Sequence, residues 1–176
     1  MASNKLKTGI GVSVALVVVY LFFWSSISGS LPSSQGVRED DLVASVANKL
    51  DFTVSQDQFI ELIPGLKVAD VVIGQGDPIT RGEMAAVHYV GRLSDGTQFD
   101  NSVSHGSPIA FEYGSGQLIV GFERGIEGMR VGGVRRIIID PELGYGVAGV
   151  TLPDGTVVIP PNAELTFDIL LVGVGE

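Results

Sequence analysis

The chain has 176 residues, with 20 acidic and 11 basic side chains, two histidines and no cysteine. The absence of cysteine excludes disulfides, thiolate catalysis and zinc–thiolate sites. Removing the first 30 residues takes away Lys5 and Lys7 and leaves 9 basic against 20 acidic side chains, a net charge of −11. Nucleic-acid binding needs clustered Lys and Arg, so this charge argues against a nucleic-acid partner.

The mean hydropathy of +0.36 is high for an acidic chain because one segment is strongly apolar. Residues 8–37 contain no charged side chain, and the core of this segment, 9–24, follows Lys5 and Lys7 in the layout of a secretory leader. Two interpretations stay open for residues 1–27: a cleaved signal peptide, or a signal anchor whose hydrophobic helix spans the membrane. Residues 8–27 provide about the 20 residues that a spanning helix needs, which favours the anchor.

The charges on either side of this leader predict its orientation. Lys5 and Lys7 precede it, whereas Glu39, Asp40 and Asp41 follow it. Positive charges stay on the cytoplasmic side, so the rest of the chain is predicted to lie outside the cytoplasm, in a periplasmic or extracellular space. The domain is then anchored in the membrane through the N-terminal helix, or secreted if the leader is cleaved.

Residues 28–64 read as a linker and lead-in segment. The first part, 28–37, is small and polar and predicts a flexible spacer. Asp40 and Asp41 are placed to cap a short helix that ends at Leu50. Residues up to 64 look extended but irregular, and the folded domain is expected over 65–176.

The domain alternates short apolar runs with turn signals, which is typical of strands. The predicted strands are 66–73, 84–93, 109–113, 131–139 and 165–172. Along the last of them apolar residues alternate with mostly polar ones, the pattern of a sheet with one covered face. Between 116 and 129 the spacing of Ile119, Phe122, Ile126 and Met129 is helical instead. The sequence therefore predicts an α+β domain, an antiparallel sheet with one short helix on its buried face.

Three common motifs carry little weight. Gly144, Gly146 and Gly149 match G-x-G-x-x-G, but a turn-rich stretch follows them where a dinucleotide site needs a helix. The run from Asp100 to His105 holds an acid, hydroxyls and an imidazole, and an ordinary polar loop with Asx-type turns explains it better than a triad. His88 lies in mid-strand and is best explained as a sheet histidine; no metal site is predicted.

Several segments in order resemble the FKBP-type peptidyl-prolyl cis-trans isomerases, the macrolide-binding immunophilins. They are VHYVGRLSDGTQFDNS, QLIVGFERGIEGMRVGG, DPELGYG and VIPPNAELTFDILLVGV. The resemblance covers roughly residues 65–174 and implies a curved antiparallel sheet wrapped around a short helix. It also implies proline-containing polypeptides as substrates, macrolides as inhibitors and no cofactor.

The resemblance implies three catalytic residues, Tyr89, Asp100 and Tyr145. The substrate-binding residues that it implies are Phe99, Leu118, Ile119, Phe122, Val158, Ile159, Phe167, Ile109 and His105. Three of these differ from the best-known members: Phe122 takes the place of a pocket-floor Trp, Ile109 that of a wall aromatic, and His105 that of an arginine. The flap over 146–160 is also longer than usual, with an extra turn at Pro153-Asp154-Gly155.

Two functions remain in view. The first is a prolyl isomerase that assists the folding of extracytoplasmic proteins by twisting the prolyl amide in a dry aromatic pocket. The alternative is a non-catalytic module or chaperone that holds proline-containing segments in the same cleft.

Overall fold

The computed structural model describes residues 45, 46, 48–50 and 52–175. Seven strands form one antiparallel sheet in the order β1-β2-β6-β9-β3-β4, with β5 paired to β3, and β7 pairs with β8 in a separate hairpin. The strands are β1 (Ile60–Ile63), β2 (Leu66–Val72), β3 (Met84–Leu93), β4 (Gln98–Asn101), β5 (Ile109–Glu112), β6 (Val134–Ile139), β7 (Val150–Thr151), β8 (Val157–Ile159) and β9 (Leu165–Gly175), and the helix is α1 (Val120–Gly125).

The inner face of the sheet is the face that packs against α1. Along β9, Leu165, Phe167, Ile169 and Leu171 all point into this main core and are at most 3% exposed. Successive side chains of a strand point to opposite faces, so the alternation in the sequence sets which residues face the helix. The predicted α+β architecture, an antiparallel sheet with one short helix, is confirmed.

Helix α1 is short and packs very closely on the sheet. Phe122 is 4% exposed and Ile126, its C-terminal cap, is fully buried. A Cβ placed on Gly121 would lie 2.3 Å from Cγ2 of Ile139 on β6, so only glycine permits this approach. Tertiary packing thus stabilises a glycine-rich helix of low intrinsic propensity.

Arg135 of β6 fixes the C-terminal end of α1. Its Nη1 donates hydrogen bonds of 2.9 Å to the carbonyl oxygens of Gly125 and Glu127. Its Nε lies 2.6 Å from Oδ1 of Asp70 on β2. A guanidinium near a helix C-terminus satisfies carbonyls that have no partner within the helix, which holds α1 at a set position over the sheet.

The outer face of the sheet is covered by part of the segment 28–64, which the sequence predicts to be a linker and lead-in. Leu50 is 2% exposed and belongs to a second buried cluster with residues of the sheet and of the loop after β4. The sheet and loop residues of that cluster are Val90, Val103, Val134 and Leu170, and Val46 and Phe52 pack against it. Residues 45, 46, 48 and 49 are helical, in agreement with the helix predicted up to Leu50. The proposed caps Asp40 and Asp41 lie outside the described residues.

Strand boundaries follow the predicted runs with four differences. Strand β9 continues to Gly175, three residues beyond its predicted end. Strand β6 begins at Val134 and not at 131, because Gly132 has a φ of +84° and Gly133 closes a turn onto Arg130. Strand β1 lies within the stretch expected to be irregular, and pairs with β2 at the edge of the sheet. The short strands β4, β7 and β8 were not predicted.

The hydrophobic helix expected within residues 1–27 lies outside the described residues. Among those that are described, no helix is both long enough and apolar enough to span a membrane.

Candidate active site

Four aromatic side chains from four different elements converge on the inner face of the sheet. Phe167 of β9 stands at the centre, with its ring centroid 5.2 Å from Phe122 of α1, 5.5 Å from Phe99 of β4 and 6.0 Å from Tyr89 of β3. The Phe122 and Phe99 rings are nearly perpendicular to Phe167, the favourable edge-to-face geometry. This group, called the aromatic cluster below, unites four of the residues implied by the resemblance.

A buried polar pair lies beside the aromatic cluster. The Tyr89 hydroxyl donates a hydrogen bond to Oδ2 of Asp100, and the two residues are 1% and 4% exposed. Oδ1 of Asp100 accepts a 2.8 Å hydrogen bond from the backbone N–H of Asn101. A buried carboxylate needs such donors to offset its loss of water, so the pair has a fixed geometry.

Ser102 positions Tyr89, and sequence reasoning did not single it out. Its Oγ accepts a 2.8 Å hydrogen bond from the Tyr89 N–H and lies 3.2 Å from the Tyr89 carbonyl oxygen, while its own N–H donates to that carbonyl at 3.1 Å. Its Oγ also lies 3.1 Å from Nδ1 of buried His88. The run from Asp100 to His105 forms the end of β4 and a 3-10 turn. It contains the predicted Asx turn, in which Asn101 Oδ1 accepts a hydrogen bond from Val103 N–H at 2.8 Å.

Gly91 is a second position that sequence reasoning missed. It lies on β3 opposite both Asp100 and Phe167. A Cβ there would come within 2.7 Å of Cζ of Phe99 and 3.0 Å of Cε1 of Phe167. Because Gly91 has no side chain, it leaves the space in which these two rings meet.

Tyr145 follows the 3-10 turn Pro141–Leu143 and is half-buried against the main core. Burial, and to a lesser extent the negative charge of Asp100, together raise the pKa of Tyr145 to about 12. Both effects disfavour the phenolate. Its hydroxyl remains a neutral donor throughout the physiological pH range.

The other apolar side chains that the resemblance implies lie in or against the main core. Ile159 at the end of β8 is buried, while Leu118, Ile119, Ile109 and Val158 are half-buried and pack against the same core. His105, in contrast, is exposed at the end of the 3-10 turn Val103–His105. The structure thus brings together all the residues implied by the resemblance except His105, which stands outside the buried cluster.

The flap is the β7–β8 hairpin. Its connecting turn contains Pro153-Asp154-Gly155, where Gly155 N–H donates to the Leu152 carbonyl at 2.9 Å and Thr156 N–H to Oδ1 of Asp154 at 2.9 Å. The extra turn proposed from the sequence is present there. Within the described part of the chain, no group of three histidine, aspartate or glutamate side chains has the arrangement of a metal site.

A family model described as FKBP-type peptidyl-prolyl cis-trans isomerase matches residues 76–172. The chain belongs to this family. Its relatives include the chloroplastic FKBP13 peptidyl-prolyl cis-trans isomerase of Arabidopsis thaliana, 40% identical over 62% of this chain and 55% of the relative. An FK506-binding protein of Neisseria meningitidis is 40% identical over 64% of this chain and 98% of its own length. FK506-binding protein 3 of Candida albicans is 43% identical over 64% of this chain, but the chain spans only 25% of that relative.

Solved structures of FKBP proteins have the same fold as this chain. The crystal structure of AtFKBP13 has a TM-score of 0.61 and 38% identity, covering 65% of this chain and 97% of that one. The crystal structure of FkpA from Escherichia coli has a TM-score of 0.60 and 30% identity, covering 78% of this chain and 59% of that one. The curved sheet around a short helix is therefore the FKBP fold. All twelve site residues lie inside the matched segment, whereas Leu50 and Phe52 of the outer face lie before it.

Proposed function

We propose that this FKBP domain catalyses cis–trans isomerisation of X-Pro bonds in the cleft formed by the aromatic cluster. The observation that carries the proposal is the buried pair of Tyr89 and Asp100 beside that cluster, with the neutral Tyr145 phenol close enough for the Asp100 charge to raise its pKa. Family membership supports the same chemistry.

The cleft supplies what prolyl isomerisation requires. Rotation about the amide crosses roughly 18–20 kcal/mol because it breaks resonance. Resonance places charge on the carbonyl oxygen, and water stabilises this planar ground state. In a dry site lined by Phe99, Phe122 and Phe167 that stabilisation is withdrawn, while the twisted and less polar transition state loses little, so the barrier falls.

The polar groups have separate roles in this proposal. Tyr145 donates a hydrogen bond to a substrate carbonyl and stays protonated to do so. Asp100 holds the Tyr89 hydroxyl in place. The Tyr89 ring lines the pocket for the proline ring, and Phe122 forms its floor. Ile159 and Val158 close the cleft from the flap side. His105, at an exposed turn near the rim, contacts the bound chain outside the cleft.

We infer further that the domain assists the folding of proteins outside the cytoplasm. The charges around the N-terminal leader support this location, as does the similarity to a relative named chloroplastic. Uncatalysed isomerisation takes tens of seconds or more, which is slow enough to limit folding. Relatives named FK506-binding proteins support the cleft as the place where a macrolide binds.

One observation favours a second candidate, a binding module without catalysis. Val147 and Val157, at the base and on the second strand of the flap, are 81% and 55% exposed. Exposed apolar side chains beside a cleft suit the retention of unfolded segments.

The isomerisation rate of a short X-Pro peptide, measured with and without the purified full-length protein, separates the two. A rate that rises in proportion to protein concentration is the result expected for the enzyme. An unchanged rate, together with saturable binding of the same peptide by fluorescence anisotropy, assigns the binding module instead.

A further inference from the structure

A cavity of about 360 Å³ lies next to the proposed cleft, on the side of the segment that leads into α1. Its walls include Leu118, which also packs against the main core beneath the aromatic cluster. Val120, at the start of α1, lines it and is 55% exposed. Leu118 is also one of the substrate-binding residues that the resemblance implies, so the cavity adjoins the proposed cleft at this residue.

Two arginines face this cavity, Arg81 and Arg124. Among the ion pairs of the described residues none involves Arg81, and the pair that Arg124 makes with Glu127 is long, at 3.8 Å, and more than half exposed on both sides. Exposed pairs of this kind contribute little. Both guanidinium groups are thus available to an incoming anion.

Arg81 is held in place for such a role. Its Nη1 donates a 3.1 Å hydrogen bond to the Gly114 carbonyl. The turn that carries it is fixed to the end of β5, since Gly82 N–H donates to the Tyr113 carbonyl at 2.8 Å and Tyr113 N–H to the Glu83 carbonyl at 2.9 Å. A side chain that is already ordered loses less entropy when it binds.

The one carboxylate that lines the cavity has a partner. Oε1 of Glu123 accepts a 3.0 Å hydrogen bond from the Gly116 N–H. Glu127, the other carboxylate near these groups, is paired with Arg124. Arg81 is therefore the cationic group of the lining that has no carboxylate partner among the ion pairs of the described residues. A guanidinium without a carboxylate partner in a cavity wall attracts negative charge in what binds there.

We propose that this cavity, called the arginine subsite below, binds an acidic side chain of the proline-containing segment held in the cleft. The inference rests on the proposed function, because the cleft positions the segment that reaches the arginine subsite. Clients with an Asp or Glu a few residues from the proline are then preferred over those with a neutral or basic residue there. Because the contact lies away from the reacting amide, it acts mainly on KM and not on kcat.

The test uses short peptides with a single Leu-Pro bond, in which each other position in turn carries Glu, Gln or Lys. With the full-length protein at low salt, Glu at one position is expected to raise kcat/KM about two- to fivefold over Gln, the range of an exposed charge contact. Lys at that position lowers it. The preference shrinks as salt is added, because exposed charges are screened.

The variant Arg81→Gln with Arg124→Gln is expected to remove the Glu preference. The matched control is Arg130→Gln, an exposed arginine that does not line the arginine subsite and should retain it. Thermal unfolding of each variant checks the fold. A preference that survives in the double variant, or no preference at any position in the native protein, overturns the proposal.

Failure of the proposed function gives a different result. In that case no peptide is isomerised faster with protein than without it. The dissociation constants of the same labelled peptides, measured by fluorescence anisotropy, then decide the arginine subsite independently. Tighter binding of the Glu peptide that is lost in the double variant supports it, and equal binding of the Glu and Gln peptides refutes it.

Discussion

The two faces of the sheet use the same strands for opposite purposes. On the inner face β3 and β9 bring Tyr89 and Phe167 into the aromatic cluster, the site proposed to hold the substrate. On the outer face the neighbouring residue Asp168 is completely buried in an ion cluster, and Leu170 packs under Leu50. Alternation along a strand thus separates the face proposed to bind a ligand from the face that the N-terminal segment covers.

The outer face shows how a buried charge is accommodated. Oδ1 of Asp168 accepts from Nε of Arg136 at 2.5 Å, and Oδ2 accepts from Nη1 of Arg92 at 2.5 Å and Nη2 of Arg136 at 2.8 Å. Arg136 in turn lies 4.8 Å from the centroid of the Phe52 ring and donates to the Phe52 carbonyl at 3.2 Å. The ion cluster therefore joins the sheet to the N-terminal segment.

Replacing Asp168 is expected to have the largest effect. The Asp168→Ala variant leaves two arginines without their buried partner and should lower the free energy of unfolding by about 3–5 kcal/mol. Urea denaturation measures the change. The control is Asp70→Ala, since Asp70 pairs with Arg135 but its side chain is 42% exposed. A loss at Asp168 no greater than that at Asp70 would contradict the role given to the outer face.

Truncating Leu50 tests whether the N-terminal segment belongs to the domain. Leu50→Ala removes a side chain that is 2% exposed and should cost about 2–4 kcal/mol of unfolding free energy. Isomerase activity per folded molecule should not change, because the cluster under Leu50 lies on the face away from the cleft. Lys49→Ala, at an exposed neighbour, should cost less than about 0.5 kcal/mol. Equal stability of the two variants would show that the segment is only a linker.

Replacing Tyr89 on the inner face is expected to lower the rate of isomerisation as well as the stability. Tyr89→Phe removes the hydroxyl that bonds Asp100 and should lower kcat/KM about tenfold, which corresponds to about 1.4 kcal/mol of transition-state stabilisation. Its unfolding free energy should fall by about 1.5–3 kcal/mol, as for a hydrogen bond to a charged group. Phe52→Leu on the outer face is the control, and it should lower stability without lowering kcat/KM.

The smallest expected effect concerns pH. Burial lowers the pKa of His88 below its ordinary value, so the folded state takes up a proton less readily than the unfolded state. The stability linked to His88 is therefore complete above about pH 6.5 and is lost as pH falls from there towards the folded pKa. His88→Gln should flatten the dependence of Tm on pH between 7.5 and 5.5, because the variant has no group there that titrates differently in the folded and unfolded states. An identical slope in the variant would refute this linkage.

The sequence predicted the inner face better than the outer one. Long strands with strict alternation, such as β9, identify their buried face by themselves. The motif around Tyr89, Phe99 and Asp100 predicted residues that the structure places close together. The cover of the outer face was missed, although Leu170 interrupts the polar positions of β9. A single apolar residue among polar ones does not say which distant segment packs on it.

The roles of Ser102 and Gly91 and the short strands could not be predicted from the sequence either. The roles of Ser102 and Gly91 depend on contacts with Tyr89, Phe99 and Phe167, which lie on other strands or turns. Short strands such as β1 contain too few residues to show a period. These features come from tertiary contacts and not from local pattern.

The most direct test of prolyl isomerisation at the inner face is the kcat/KM of Asp100→Ala on an X-Pro peptide, measured beside Leu50→Ala at equal concentrations of folded protein. Asp100→Ala is expected to lose at least about tenfold in kcat/KM, the equivalent of 1.4 kcal/mol, while Leu50→Ala retains the native value. Isomerisation by Asp100→Ala as fast as by the native protein would contradict the account.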